Sequence, residues 1–252
     1  MCRIVSYNIH SGIGRDNKHD YRRIGSYLAE LGADIVLLQE MDTRPEHRDI
    51  ETDIRDICAS QVFQLVPSPA ITEAGGGWYG NAVLTRFPVL KNETLDVSQD
   101  GFQPRNIQAV DLLTPSGPLT VINTHKGLKK SERRSQFAKL HEYIAGRMKE
   151  NKTPIVLGGD FNEWQFFTRA FRALDNVLNQ HKAGATFPSQ FPLFSLDRIW
   201  TSPDIKLRRI RRLKNARTKI LSDHLPVQVD IRLPEQDVSD LPEPFQAQAM
   251  LG

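Results

Sequence analysis

Two short stretches carry the densest chemistry in this chain, Gly158-Gly159-Asp160-Phe161-Asn162 and Ser222-Asp223-His224. Each borders an apolar run, which places it at the end of a strand. A second histidine, His125, follows the apolar stretch Val121-Ile122-Asn123-Thr124. Together these are the parts needed for metal-assisted attack of water on a phosphate ester. A hard cation held by oxygen ligands neutralises phosphate charge, a carboxylate takes a proton from water, and imidazoles steady the oxygens that gain charge.

Further residues extend the set, each with a plainer competing role. Glu40 closes the buried-strand pattern Ala33-Asp34-Ile35-Val36-Leu37-Leu38-Gln39, where a carboxylate suits a cation at a sheet edge. It would otherwise be a surface glutamate opening a loop. Asn8 ends the first strand and offers an amide oxygen to the same cation, or else serves the turn before Gly12. Asp160 can accept a proton from water that Asn162 orients; the plainer reading of the pair is an Asx-turn. Asp197, in Leu196-Asp197-Arg198-Ile199-Trp200, can pair with His224 and keep it cationic, or pair with Arg198. Asp223 is the poorer partner for His224, because adjacent side chains on a strand point to opposite faces.

These groups need strands that end together. Strand patterns cover residues 3–9, 33–38, 62–66, 79–85, 107–113, 119–123, 154–157, 196–201, 205–213 and 225–232. Thr114-Pro115-Ser116-Gly117-Pro118 has hairpin chemistry. Helical spacing covers 20–31, with Gly32 as its stop, and more weakly 46–59. The best helix runs over 131–149, with Ser131 as a candidate cap and Phe137, Leu140, Ile144 and Met148 on one face. Short helices fill 164–178. Hairpins argue against an all-parallel sheet. The expected architecture is two mixed sheets face to face with helices outside, over residues 1–232. An acidic, Pro-containing tail follows over 233–252.

Composition supports a large domain with a real core: 252 residues, 39% hydrophobic and 25% charged. The net charge is +3, and Glu235, Asp237, Asp240 and Glu243 of the tail have no basic counterweight, so the rest is more basic still. Mild basicity fits an anionic substrate. Two cysteines, Cys2 and Cys58, with no CxxC pattern, exclude a zinc-finger or disulfide scaffold. No apolar run is long enough for a transmembrane segment. The chain opens directly into a strand pattern without a signal peptide, so a cytoplasmic monomer is the expectation.

The set Tyr7-Asn8-Ile9-His10, Leu38-Gln39-Glu40, Asn123-Thr124-His125, Gly159-Asp160-Phe161-Asn162, Leu196-Asp197-Arg198-Ile199 and Ser222-Asp223-His224 resembles the endonuclease/exonuclease/phosphatase superfamily, with its DNase I-like fold. Gly80 to Pro88 is similar to that family's middle strand. The Asn-Ile-His opening and Thr186 to Pro192 resemble its branch of small bacterial YbhP-like proteins. The resemblance implies a four-layered α/β sandwich with the site at one edge of the paired sheets. It implies Mg2+ or Mn2+ held by Glu40, with Asn8 and Asp223 close by. Asp160 would be the base, Asn162 its orienting partner and His125 a phosphate ligand. His224, oriented by Asp197, would stabilise the transition state or assist the leaving group. His10 belongs to the small bacterial group. Arg105 could reach phosphate, with a structural ion pair as the competing role. Trp200 departs from the tyrosine usual in abasic-site endonucleases, and their long DNA-gripping insertions have no match.

Two basic clusters bear on the substrate. Lys129, Lys130, Arg133 and Arg134 follow His125 closely and favour a substrate role. Lys206, Arg208, Arg209, Arg211, Arg212, Lys214, Arg217 and Lys219 instead suit a solvated strand edge that deters edge pairing. The expected partner is a phosphate ester of a lipid head group, nucleotide or nucleic acid, with small-molecule or lipid head-group hydrolysis ahead of a nuclease. The rival from another class is a phosphate-binding module without turnover; every expected catalytic position is filled, which favours the enzyme.

Overall fold

The computed structural model describes residues 1–44, 49–150, 153–165 and 169–234. Strands β1 (Cys2–Asn8), β2 (Ile35–Asp42), β3 (Gln64–Thr72) and β4 (Trp78–Thr85) begin one sheet. A second sheet is built from β5 (Val89–Asp96), β6 (Asn106–Thr114), β7 (Gly117–His125), β8 (Ile155–Asp160), β9 (Asn179–His181) and β10 (Asp197–Thr201). β11 (Lys206–Arg212) and β12 (Val227–Arg232) return to the first. The orders are β11-β12-β1-β2-β4-β3 and β5-β6-β7-β8-β10-β9. Each sheet has one parallel pair at its centre, β1 with β2 and β7 with β8, and antiparallel neighbours outside. Both sheets are therefore mixed, and the four-layered sandwich is the observed fold.

Side-chain alternation produces the layers. On β1, Val5 and Tyr7 pack outward against Ile24 and Leu28 of α1 (Tyr21–Glu30), while Ile4 points to the other sheet. On β8, Leu157 packs outward against Leu140 and Ile144 of α3 (Lys130–Glu150), while Val156 points inward. Ile35, Leu37, Val83, Val121, Val156 and Val229 fill the space between the sheets. α2 (Ile50–Ile57) joins the first outer layer through buried Ile57, and α4 (Arg172–Asp175) joins the other through Leu174. α5 (Thr218–Leu221) is a single turn before the Ser-Asp-His stretch. No helix among the described residues is long and apolar enough to cross a membrane.

Several sequence expectations need correction. β2 does not stop at Glu40 but continues to Asp42 through a bulge between Leu38 and Met41. The strand expected over 154–157 runs on through Gly158 and Gly159 to Asp160, and β7 presses so closely that a Cβ on Gly159 would meet the Thr124 carbonyl. Ser131 is not a cap, because α3 already includes Lys130. The 164–178 region yields only α4 among its described residues. β5 and β9 carry weak or short apolar alternation and were not expected. Of the expected 46–59 helix, residues 46–48 lie outside the described residues. So does the 233–252 tail beyond Leu233 and Pro234; Leu233 itself packs in the inter-sheet core.

Towards the site the inter-sheet space turns polar and is stitched by amides. Asn123 on β7 accepts from Gln39 Nε2 at 2.8 Å and donates to the Leu38 and Ala82 carbonyls at 2.8 and 3.0 Å. All of these groups are buried, so each loses water that only the partner replaces. Asn123→Leu should destabilise the protein by about 2–3 kcal/mol in denaturant unfolding, the cost of stranding buried polar groups. A change of only a few tenths would show that the amide stitching is dispensable.

Candidate active site

The same alternation that fills the inter-sheet core carries the site residues to its open end. Asn8 follows Ile4 and Ser6 on the inward face of β1, Asp160 follows Val156 and Gly158 on β8, and His125 follows Val121 and Asn123 on β7. Register then lines up His125 with Asp160 and Asp160 with Asp197 across three adjacent strands. Glu40 alone is out of step. With Ile35 and Leu37 inward, an unbroken β2 would turn residue 40 towards the helices. The bulge and a left-handed φ of 60° redirect it into the cleft. Such a φ is costly for a non-glycine residue and concentrates at functional positions. Asn162 (φ 48°) and His10 (φ 47°) share it.

Asp160 is the hub, buried and shared between the sheets. Asn8 Nδ2 donates to Asp160 Oδ2 and to Glu40 Oε1, each at 3.0 Å. The backbone N–H of Asn162 donates to Asp160 Oδ1 at 2.9 Å. The Nε2 atoms of His125 and His224 stand 3.6 and 3.7 Å from Asp160 Oδ2. Behind His224, Nδ1 meets Asp197 Oδ2 at 2.8 Å. Asn162 Nδ2 donates to the Lys126 carbonyl at 2.9 Å and reaches His125 Nε2 at 3.2 Å.

Burial and neighbouring charge set distinct protonation states. Burial opposes charge on His224, but Asp197 and Asp160, with the hydrogen bond to Asp197, outweigh it and push its pKa up to about 10. Burial, helped by the charges of Arg105 and His224, holds His125 well below the ordinary imidazole range. His125 is therefore neutral, and Nε2 accepts from Asn162. Burial raises Asp160 to about 6, with Asp197 adding and His224 offsetting. One imidazolium thus faces three carboxylates, Glu40, Asp160 and Asp223, across a cleft of about 440 Å³.

Those carboxylates fit a hard cation. Glu40 and Asp160 turn oxygens to one Asn8 nitrogen, and Asp223 lines the same cleft. Asn8 itself presents nitrogen, because its oxygen accepts the backbone N–H of His10 at 3.0 Å. Asp160, Asp197 and His224 also bring ligand atoms within 4.8 Å of one another. That grouping is a poor metal cage: His224 is cationic and its Nδ1 is committed to Asp197.

The other expected residues spread around this centre. Arg105 lines the cleft and is buried; its Nη groups go to Gln103 at 3.0 Å and Tyr79 at 3.5 Å, both neutral, and Nε meets no partner. The ion pair considered for it is replaced by these neutral contacts. The ring of His10 lines the cleft and reaches the Ile13 carbonyl at 3.1 Å. Lys129 and Lys130 are exposed and do not line this cleft; Lys130 lines a separate one of about 560 Å³ with Phe137 and Arg169. Arg133, counted with them in the basic cluster, is buried and donates to the Gly127 and Leu128 carbonyls, so its role is structural. β11 is an edge strand, as the deterrent reading of its bases requires. Trp200 is buried and donates to Asp175.

Sequence reading missed one wall of the cleft, Trp164 and Phe187, whose rings meet edge-on at 5.5 Å; Phe187 also lies 4.9 Å from the His224 ring. It missed Arg44 and Tyr79, which also line the cleft, with the guanidinium 4.9 Å from the ring centre. Trp164, Phe187 and Arg44 lie outside the expected strands, and Tyr79 opens an expected strand with nothing to mark it as a cleft residue. It also missed Lys126, which is fully buried directly after His125.

The family model for the endonuclease/exonuclease/phosphatase family matches residues 5–224. The chain belongs to that family. Family members hydrolyse phosphate esters. The chain is 28% identical to the uncharacterized protein YbhP of Escherichia coli K12, over 92% of this chain and 96% of that one. Among solved structures it is similar to a mannosyl-6-phosphatase of Bacteroides thetaiotaomicron (TM-score 0.75, 19% identity, 92% and 100% of the two chains). A humanized zebrafish (D. rerio) TDP2 is also similar, with TM-score 0.69, 16% identity and coverage of 92% and 98%. At these identities the structures speak for the shared sandwich fold.

Lys126 gives a direct check on the burial around this family site. Its Nζ donates to the Gln136 carbonyl at 3.2 Å, and burial lowers its pKa from 10.5 to about 7. Between those values the unfolded chain keeps a proton that the folded chain has released, so this residue makes stability rise with pH from about 7 to about 10.5. Lys126→Met should remove that rise, measured as the pH dependence of the unfolding midpoint against wild type. Equal slopes for the two proteins would show that Lys126 is solvated.

Proposed function

We propose that this chain is a divalent-metal-dependent phosphoesterase that hydrolyses a phosphodiester or phosphomonoester by in-line attack of water. The observation that carries the reading is the opposed protonation of neighbouring groups: a carboxylate poised near neutrality 3.7 Å from an imidazole held cationic. Separated pKa values of this kind divide the roles of base and acid.

Asp160 takes the proton from the attacking water. With a pKa of about 6 it is ionised at neutral pH yet remains a competent base. Asn162 fixes that carboxylate through its backbone N–H and holds His125 through its amide. His224, protonated and oriented by Asp197, faces the phosphate oxygens or the leaving group. Arg105 adds positive charge at the other side of the cleft, with Nε still unpartnered. Glu40 and Asp223 would hold Mg2+ or Mn2+, with Asn8 spacing Glu40 from Asp160. When bound, such a cation neutralises phosphate charge and favours attack at phosphorus. The name of the mannosyl-6-phosphatase neighbour supports a small phosphate ester as readily as a nucleic acid.

Purified protein should cleave members of a panel of phosphodiesters, phosphomonoesters, lipids and DNA with Mg2+ or Mn2+, and lose the activity in EDTA. Asp197→Asn should lower kcat by about 10². It should also move the alkaline limb of the pH profile down from about 10, because the charge that raises His224 is gone. Full activity in EDTA, or an unmoved alkaline limb, would contradict the assignment.

A further inference from the structure

Eight large apolar side chains are exposed among the described residues: Met1, Val62, Leu95, Phe102, Leu128, Phe191, Leu193 and Ile220. Singly such exposure is ordinary. Their placement is not ordinary, because five of the eight lie on segments that frame the mouth of the catalytic cleft. Leu128 lines it directly, and Phe102 precedes Gln103, which also lines it. Phe191 and Leu193 stand on the loop that leaves the cleft wall at Phe187 and returns by a bridge at Phe194. Leu193 donates back to the Phe187 carbonyl at 2.8 Å, so the loop is closed on itself and its tip faces outward. Phe191 is 72% exposed, and Leu128 and Leu193 are 63% exposed.

Hydrogen bonds join the segments of Phe191, Leu193 and Ile220, while Phe102 and Leu128 reach the mouth on segments of their own. Ser189 Oγ donates to the Lys219 carbonyl at 3.2 Å, tying the loop to the turn that carries Ile220. Arg15 Nη2 donates to Gln190 Oε1 at 3.1 Å, tying it to the basic segment 15–18. The arrangement is hydrogen-bonded at its base and apolar at its tips.

Charge on the rim has one prevailing sign. Arg15, Lys18, Lys129, Lys130 and Arg134 are exposed on the framing segments. The exposed acids nearby are Asp16, which Arg23 holds at 2.8 Å, Asp100, and Glu73, which neighbours the cleft-lining Arg44. The carboxylates of the site itself lie inside the cleft. Apolar tips ringed by lysine and arginine suit an anionic interface: the tips enter the acyl boundary and the bases meet the head groups. A soluble anion would use the bases and leave the tips in water.

We propose that the rim docks the protein on an anionic lipid bilayer and that the cleft takes its phosphate ester from a lipid head group at that surface. This rests on the phosphoesterase reading above and names its substrate class.

The test separates docking from chemistry. The protein in EDTA is sedimented with phosphatidylcholine vesicles, with and without phosphatidylglycerol. Hydrolysis of the soluble ester bis(p-nitrophenyl) phosphate is measured separately with Mn2+. Wild type should bind the phosphatidylglycerol vesicles, more weakly at high salt, and not those of phosphatidylcholine alone. Phe191→Asp/Leu193→Asp should bind at least about tenfold more weakly. It should melt at the wild-type temperature and keep its soluble-ester activity, since neither residue lines the cleft. Phe102→Asp/Ile220→Asp, on other segments, should weaken vesicle binding as well. The proposal is overturned if wild type ignores anionic vesicles, or if neither double variant weakens binding. It is overturned equally if the tips govern binding of single-stranded DNA, or dimerisation seen by light scattering, rather than vesicles. Vesicle binding without hydrolysis of any ester would defeat the phosphoesterase reading and leave docking standing; the reverse would defeat docking alone.

Discussion

A buried carboxylate has to be satisfied, and here the two sheets must come together to satisfy it. Asp160 ends β8 of the second sheet, and its oxygens take hydrogen bonds from Asn8 of the first sheet and from the backbone of Asn162. Leaving such a charge unpaired would cost several kcal/mol. The end of the sandwich therefore cannot open without exposing this carboxylate or stranding it. The amides of Gln39 and Asn123 repeat the same logic one layer deeper. Polar residues thus do inside the sandwich, near its open end, what valine and isoleucine do further in.

The second consequence is electrostatic. Crowding Asp160, Asp197 and Asp223 near His224 makes the imidazole cationic, and burial makes Asp160 reluctant to ionise. The two neighbours each shift the other's proton affinity. His125, equally buried and 3.6 Å from Asp160 Oδ2, is kept neutral by that burial together with the charges of Arg105 and His224. Two histidines at strand ends acquire opposite states from their surroundings, which explains why both are present.

Much of this was legible in the sequence, for a physical reason. Strand alternation is a period-two signal, so apolar runs ending in Asn8, His125 and Asp160 announce both the strand and the side chain's face. Asp197 is the partner of His224 as expected, but not for the expected reason: Asp223 and His224 precede β12 rather than lying in a strand, and both line the cleft. Glu40 was legible by type and not by geometry: a bulge is a register event between β2 and β4, and neither strand encodes it alone. Arg133 and Lys126 were illegible because a charged side chain normally signals the surface; here helix α3 buries both against carbonyl groups. The aromatic wall of Trp164 and Phe187 comes from two loops whose proximity only the fold decides.

Glu40, Asp160 and Asp223 bring an excess of negative charge to one cleft, which a divalent cation would neutralise. Calorimetric titration of Mn2+ at pH 6, in two buffers of different ionisation enthalpy, tests this most directly. Asp160 is about half protonated at that pH, so binding should release a fraction of a proton. The release should vanish in Asp160→Asn, and binding itself should weaken sharply in Glu40→Gln. Absence of Mn2+ binding to wild type, or binding with no proton release, would contradict the claim.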